Sequence, residues 1–160
     1  MPVSTALLSA TTPNSALRVV QAVLAAGFVC GTLDGISALI ASGVNWKTLF
    51  QFIASGVLGP DSLQGGLKTA LLGIALHYSI AFGATIVYFG ASRFLPVLLQ
   101  RALPLGVLYG ICVHFFMNFV VIPISAVNRP FSARRFLVQL LIHMVIVGPS
   151  IAFTLSRLLR

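Results

Sequence analysis

Four stretches of this chain are almost purely hydrophobic. Residues 69–92, 102–128 and 136–156 contain no Asp, Glu, Lys or Arg, and residues 19–46 contain only one, Asp34. About twenty apolar residues suffice for a helix to cross the hydrocarbon core of a bilayer, and each stretch meets that length. The pattern predicts helices at about 17–44, 68–91, 103–126 and 136–157, assembled as an all-α, four-transmembrane-helix bundle in one domain spanning 17–160. Pro104 suits the first turn of the third helix. Pro123 and Pro149 fall inside the third and fourth, where a missing N–H kinks the helix and frees a carbonyl.

Between the first two helices the periodicity changes. Trp46, Leu49, Phe50, Ile53 and Val57 recur at helical spacing, with Asn45, Lys47, Thr48 and Gln51 on the other side. This predicts a short helix at about 46–58, interfacial or re-entrant, ended by Gly59-Pro60-Asp61 and followed by Gly65-Gly66. In the interfacial reading Trp46 lies at headgroup level. Residues 1–16 read as a mobile Ser/Thr/Pro tail. They lack a basic segment ahead of the short apolar run Ala6–Ala10, so a cleavable signal is not expected.

Composition strengthens the membrane reading. The 160 residues are 58% hydrophobic and only 8% charged, with mean hydropathy +1.04. A soluble domain of this size carries about a quarter charged residues, so these few could not cover its surface. The formal charge of +8 comes from ten basic residues that bracket the hydrophobic stretches like headgroup anchors. That placement implies contact with lipid and excludes a nucleic-acid face, which would gather the cations on one solvated surface. Arg18, Arg93, Arg101, Arg157 and Arg160 fall on the side of the termini. Lys47, Lys68, Arg129, Arg134 and Arg135 fall on the other. Equal numbers leave the orientation open, cytoplasmic termini being the simpler case. Cys30 and Cys112 have no paired spacing and read as small buried hydrophobes.

The candidate chemistry is a polar layer within the spans. Asp34, His77, His114 and His143 supply one ionisable group per helix, and Asn118 lies one turn beyond His114. Alternate helices run in opposite directions, so Asp34, His77, Asn118 and His143 are expected at one level, about 3–6 Å from mid-span at 1.5 Å per residue. Stripes of small residues point these groups inward. They are Gly27, Gly31, Ala38 and Ala41 beside Asp34, and Gly73, Ala81, Ala84 and Tyr88 beside His77. Gly106 and Gly110 precede His114, while Gln139, Val147, Ser150 and Thr154 accompany His143. The glycines Gly27, Gly31, Gly73, Gly106 and Gly110 are the expected helix-packing positions, within the chain or between copies in a homo-oligomer.

Several readings of the layer stay open. In a structural one, a carboxylate paired with imidazoles and tied to Asn118 and Tyr109 or Tyr78 locks helix order. An interhelical hydrogen bond in a membrane averages about 0.6 kcal/mol. A mid-bilayer Asp costs about 2.5–3.5 kcal/mol, so one such bond does not offset it. A functional reading has the layer bind or relay a proton or small polar solute, Asp34 carrying charge and the histidines exchanging it near neutral pH. A further alternative is a haem or divalent-metal site, with His77 and His143 as ligands. No nucleophile stands near a base at diagnostic spacing, so neither an enzyme nor a resident cofactor is expected in the leading reading.

Several segments resemble a family of small bacterial inner-membrane proteins with four hydrophobic segments. They are Gly31-Thr32-Leu33-Asp34-Gly35, Gln51-Phe52-Ile53-Ala54-Ser55-Gly56, Leu72-Gly73-Ile74-Ala75-Leu76-His77-Tyr78, Tyr109-Gly110, Asn118 through Pro123-Ile124-Ser125-Ala126, and Leu141-Ile142-His143 before Gly148-Pro149. The resemblance extends from about residue 24 to 157. The chain is also similar to the YagU-like membrane proteins, a family linked to acid tolerance. These likenesses imply a bacterial plasma-membrane location and a 51–56 segment that belongs to the fold. They imply no catalytic residue.

Overall fold

The structure, a computed structural model, describes residues 13–127 and 130–160. Helix α1 (Pro13–Ser42) is followed by α2 (Trp46–Leu58), a 3₁₀ turn at Pro60–Gln64 and α3 (Gly66–Phe94). A single turn, α4 (Val97–Gln100), leads into α5 (Ala102–Phe116). A π-helical turn at Met117–Val121 and the short α6 (Ile122–Ile124) complete the third span. The fourth consists of α7 (Ala133–Ile142), a second π-turn at His143–Val147 and α8 (Gly148–Leu159). Four spans are long and apolar enough to cross a membrane: Ser15–Ser42, Gly66–Phe94, Ala102–Ile124 and Ala133–Leu159. The chain is thus an all-α, multi-pass membrane protein, and each span lies within a few residues of its expected place. Most of the expected 1–16 tail, and Arg129, lie outside the described residues. From Pro13 onward the segment is helical.

The helices pack in sequence around the bundle. α1 lies between α3 and the fourth span, and α5 packs on the other side of the fourth span. Tyr109 closes the remaining gap by donating its hydroxyl to the Ala84 carbonyl at 2.6 Å, its ring 4.9 Å from that of Tyr88. Tyr78 instead bonds Thr32 at 2.9 Å, so neither tyrosine ties the polar layer as expected. The core (Ala22, Ala26, Cys30, Ala81, Tyr88, Ile151, Ala152 and Leu155 among its members) fills the half of the bundle nearer the termini. Small side chains dominate it because close backbone approach, rather than exclusion of water, holds membrane helices together. Cys112 departs from expectation: it is exposed on the outer face. Ala41, expected inward, is exposed as well.

Helix α2 occupies the expected 46–58 segment. Asn45 caps it by accepting the Thr48 N–H at 2.9 Å. Its buried residues are Gln51, Ala54 and Ser55, whereas Trp46, Val57 and Leu58 are exposed. Gln51 donates to the Gly66 carbonyl at 3.0 Å, while Ser62 donates to the Gln51 carbonyl at 2.9 Å. Polar groups in an apolar medium must find partners inside the protein, and apolar ones have no such need. Gln51 therefore turns toward the start of α3, while Asn45 and Lys47 remain exposed. Gly73, expected in a seam between spans, serves this junction: a Cβ there would run into the Phe50 carbonyl. The Ala126 N–H donates to the Gly56 carbonyl at 2.9 Å and fastens α2 to the end of the third span.

Candidate functional site

Both π-turns answer to prolines. A proline ring collides with the carbonyl four residues before it, which is Phe119 for Pro123 and Val145 for Pro149. Each of these carbonyls sits in the middle of a π-turn. Widening the turn by one residue relieves the collision, and such turns recur at functional sites. Here they hold Asn118 and His143. The expected kinks thus take the form of one surplus residue per helix.

Three of the five expected site residues come together beside these turns. His114 is fully buried, its ring centroid 5.2 Å from that of His143 and 4.5 Å from that of Phe136. Asn118 donates its amide to the His114 carbonyl at 2.9 Å, and the same nitrogen lies 3.4 Å from either ring nitrogen. His143 donates from Nδ1 to the Gln139 carbonyl at 2.8 Å. A carbonyl can only accept, so this bond fixes the proton on Nδ1 and leaves Nε2 as the acceptor of the neutral ring. The packing that allows this is backbone against backbone. A Cβ on Gly110 would strike the His143 carbonyl, and one on Gly148 the Gly106 carbonyl. Gly106 and Gly110 thus lie at the close contact between α5 and the fourth span.

His77 stands elsewhere. It is buried in the seam between α1 and α3, where its Nε2 donates to the Gly31 carbonyl at 2.8 Å. A Cβ on Gly35 would come within 3.4 Å of that nitrogen, and the rings of Phe50 and Tyr78 stand edge-on at 5.8 and 5.6 Å. Gly27 and Gly31 open the same seam to the Phe82 and Tyr78 rings. His77 and His143 thus occupy different seams, the one between α1 and α3 and the other between α5 and the fourth span. Among the described residues no three His, Cys, Asp or Glu side chains converge as a metal set.

Asp34 is half-buried on α1, one turn beyond Cys30. The Cys30 thiol approaches the Val147 carbonyl at 3.8 Å. The two helices are antiparallel, so Asp34 comes level with His143 one turn further on. The expected common level is thus kept on the α1, fourth-span side. No hydrogen bond or ion pair joins Asp34 to a histidine among the described residues. The expected carboxylate–imidazole pairing is not formed.

Phe136, which caps the His114 ring, and Gln139, which orients His143, acquire their roles through the fold. Phe136 was not among the sequence candidates, and Gln139 figured there only as a stripe residue. The available signal was the pair of prolines, each two residues past the end of a π-turn. No family model, curated protein or solved structure matches the chain.

Proposed function

We propose that this membrane protein binds and relays a proton or small polar solute through the His114–Asn118–His143 cluster, with Asp34 as the charge carrier at its edge. One observation carries the reading: a fully buried histidine faces a second histidine where both helices are locally underwound into π-turns. Burying such groups is costly in a membrane, and intramembrane ionisable residues are functional by default. In this reading His143 exchanges protons through the acceptor that its bond to Gln139 leaves open. Asn118 positions His114, and His77 is a helix tie that takes no part in transfer. The chain performs no covalent chemistry, and the bacterial inner membrane is its setting.

A second reading has an observation of its own. Every fully buried side-chain nitrogen and oxygen among the described residues has a hydrogen-bond partner, as a scaffold or assembly subunit requires. Proteoliposomes carrying a trapped pH dye separate the two. After an external acid step, the relay reading expects wild-type vesicles to acidify faster than empty ones, with Asp34→Asn folded and reduced to the empty-vesicle rate. Wild-type flux equal to that of empty vesicles sinks the relay and leaves the scaffold.

A further inference from the structure

The end of the bundle that carries the termini holds two adjoining clefts. The larger, about 490 Å³, is lined by Arg101, Arg157 and Arg160 among apolar neighbours that include Leu103 and Phe153. The smaller, about 240 Å³, is lined by Arg18, Arg93 and again Arg160. Leu99 and Arg160 belong to both. All five basic residues of this side therefore line one or other of two clefts that meet at Leu99 and Arg160. One is held in place: the Arg157 guanidinium lies 4.9 Å from the centre of the Phe153 ring, a cation–π contact that limits its freedom.

Among the described residues no Asp or Glu side chain lines this recess. The only acidic side chains are Asp34, within the first span, and Asp61, which stands in the 3₁₀ turn at the opposite end. Arginine presents a planar fork of donors that matches phosphate oxygens two at a time. Phe153, Leu103 and Leu158, on the same recess, are each partly exposed on the apolar outer surface. A ligand seated among the arginines would thus place any hydrocarbon tail directly along the bundle wall.

We propose that the two clefts form a phosphate-binding site for the headgroup of an anionic phospholipid, whose acyl chains run down the exposed face of α5 and α8. Inorganic phosphate offers the same oxygens without the tails, so the two sources can be told apart. Full-length protein in neutral detergent is titrated with dioleoyl phosphatidylglycerol, and bound lipid is counted by native mass spectrometry. Phosphatidylcholine and inorganic phosphate serve as parallel probes. Phosphatidylglycerol is expected to bind in preference to phosphatidylcholine, with inorganic phosphate failing to displace it at equal concentration. The double variant Arg101→Gln/Arg157→Gln should lower phosphatidylglycerol occupancy by about tenfold. Lys47→Gln/Arg135→Gln, which removes equal charge from the other end, should change it less than about twofold.

Equal losses in the two double variants would reduce the effect to net charge and overturn the site. Equal binding of the two lipids would overturn the phosphate chemistry, and displacement by inorganic phosphate would overturn the lipid source. Should the first double variant fail to elute as a folded species, Arg160→Gln alone, at the junction of the clefts, carries the same test. Unchanged occupancy there would likewise reject the proposal.

Discussion

The two histidine-bearing seams of this bundle differ in what touches what. Between α1 and α3, glycine meets ring: Gly27 and Gly31 receive Phe82 and Tyr78, and His77 bonds the Gly31 carbonyl at 2.8 Å. Between α5 and the fourth span, glycine meets backbone: Gly110 abuts the His143 carbonyl and Gly148 the Gly106 carbonyl. The first seam can yield through side-chain rotation, whereas the second can yield only by moving a helix. The rigid seam is also the one whose histidines lack a direct bond to each other. Sequence marks both seams with the same signs, a glycine stripe and a histidine, yet His77 bonds across its seam while His114 and His143 bond only within their own spans.

The largest contrast is expected from a single added methyl. Gly110→Ala should cost about 1–3 kcal/mol, because overpacking against backbone has no cheap relief. Gly27→Ala should cost less than about 1 kcal/mol, since the Phe82 ring can turn aside. Unfolding by SDS in mixed micelles measures both, and equal costs would erase the distinction between the seams.

Next comes the contrast between histidines. His77→Ala should lower stability by about 0.6–1.7 kcal/mol, the range of an interhelical hydrogen bond, and leave proton flux near wild type. His114→Ala should bring flux down to that of empty vesicles. Flux lost in His77→Ala and kept in His114→Ala would invert the assignment of tie and relay. The last contrast is Pro149→Ala, which restores the missing N–H. Its gain should stay below the about 3 kcal/mol that proline costs a helix interior, because the π-turn already relieves most of that strain. Flux should fall severalfold as the turn around His143 closes. A variant with unchanged flux would detach the relay from the widened turn.

Much of the fold was legible because hydrophobic length and charge placement are physical requirements of crossing a bilayer. The four spans, the helix at 46–58, and the inward Gly106–Gly110–His114 stripe follow from that requirement. The stripe on the fourth span was misread at its far end. Ser150 and Thr154 were expected inward, yet Ile151, Ala152, Leu155 and Ser156 are buried there. Plain α-helical counting from His143 drifts by about 100° once a turn holds an extra residue. For α2 the sequence left interfacial and re-entrant placements open, and its pattern did not reveal that Gln51 and Ser55 turn inward to find partners. For Asp34, residue type suggested a partner that the backbone register sets at the right level and the side-chain contacts do not supply.

The surplus residue at 143–147 also gives the fourth span slack. A π-turn is an α-helix with one residue too many, so deleting one residue there would restore plain winding and leave both flanks facing as they do now. The same deletion in α3, where winding is regular, would swing everything beyond it by about 100°. Slack of this kind can also travel. If the extra residue moved by one turn, His143 would rotate while Arg135 and Arg157 stayed at their stations on the two sides of the bilayer, a crankshaft motion inside a helix whose ends are moored.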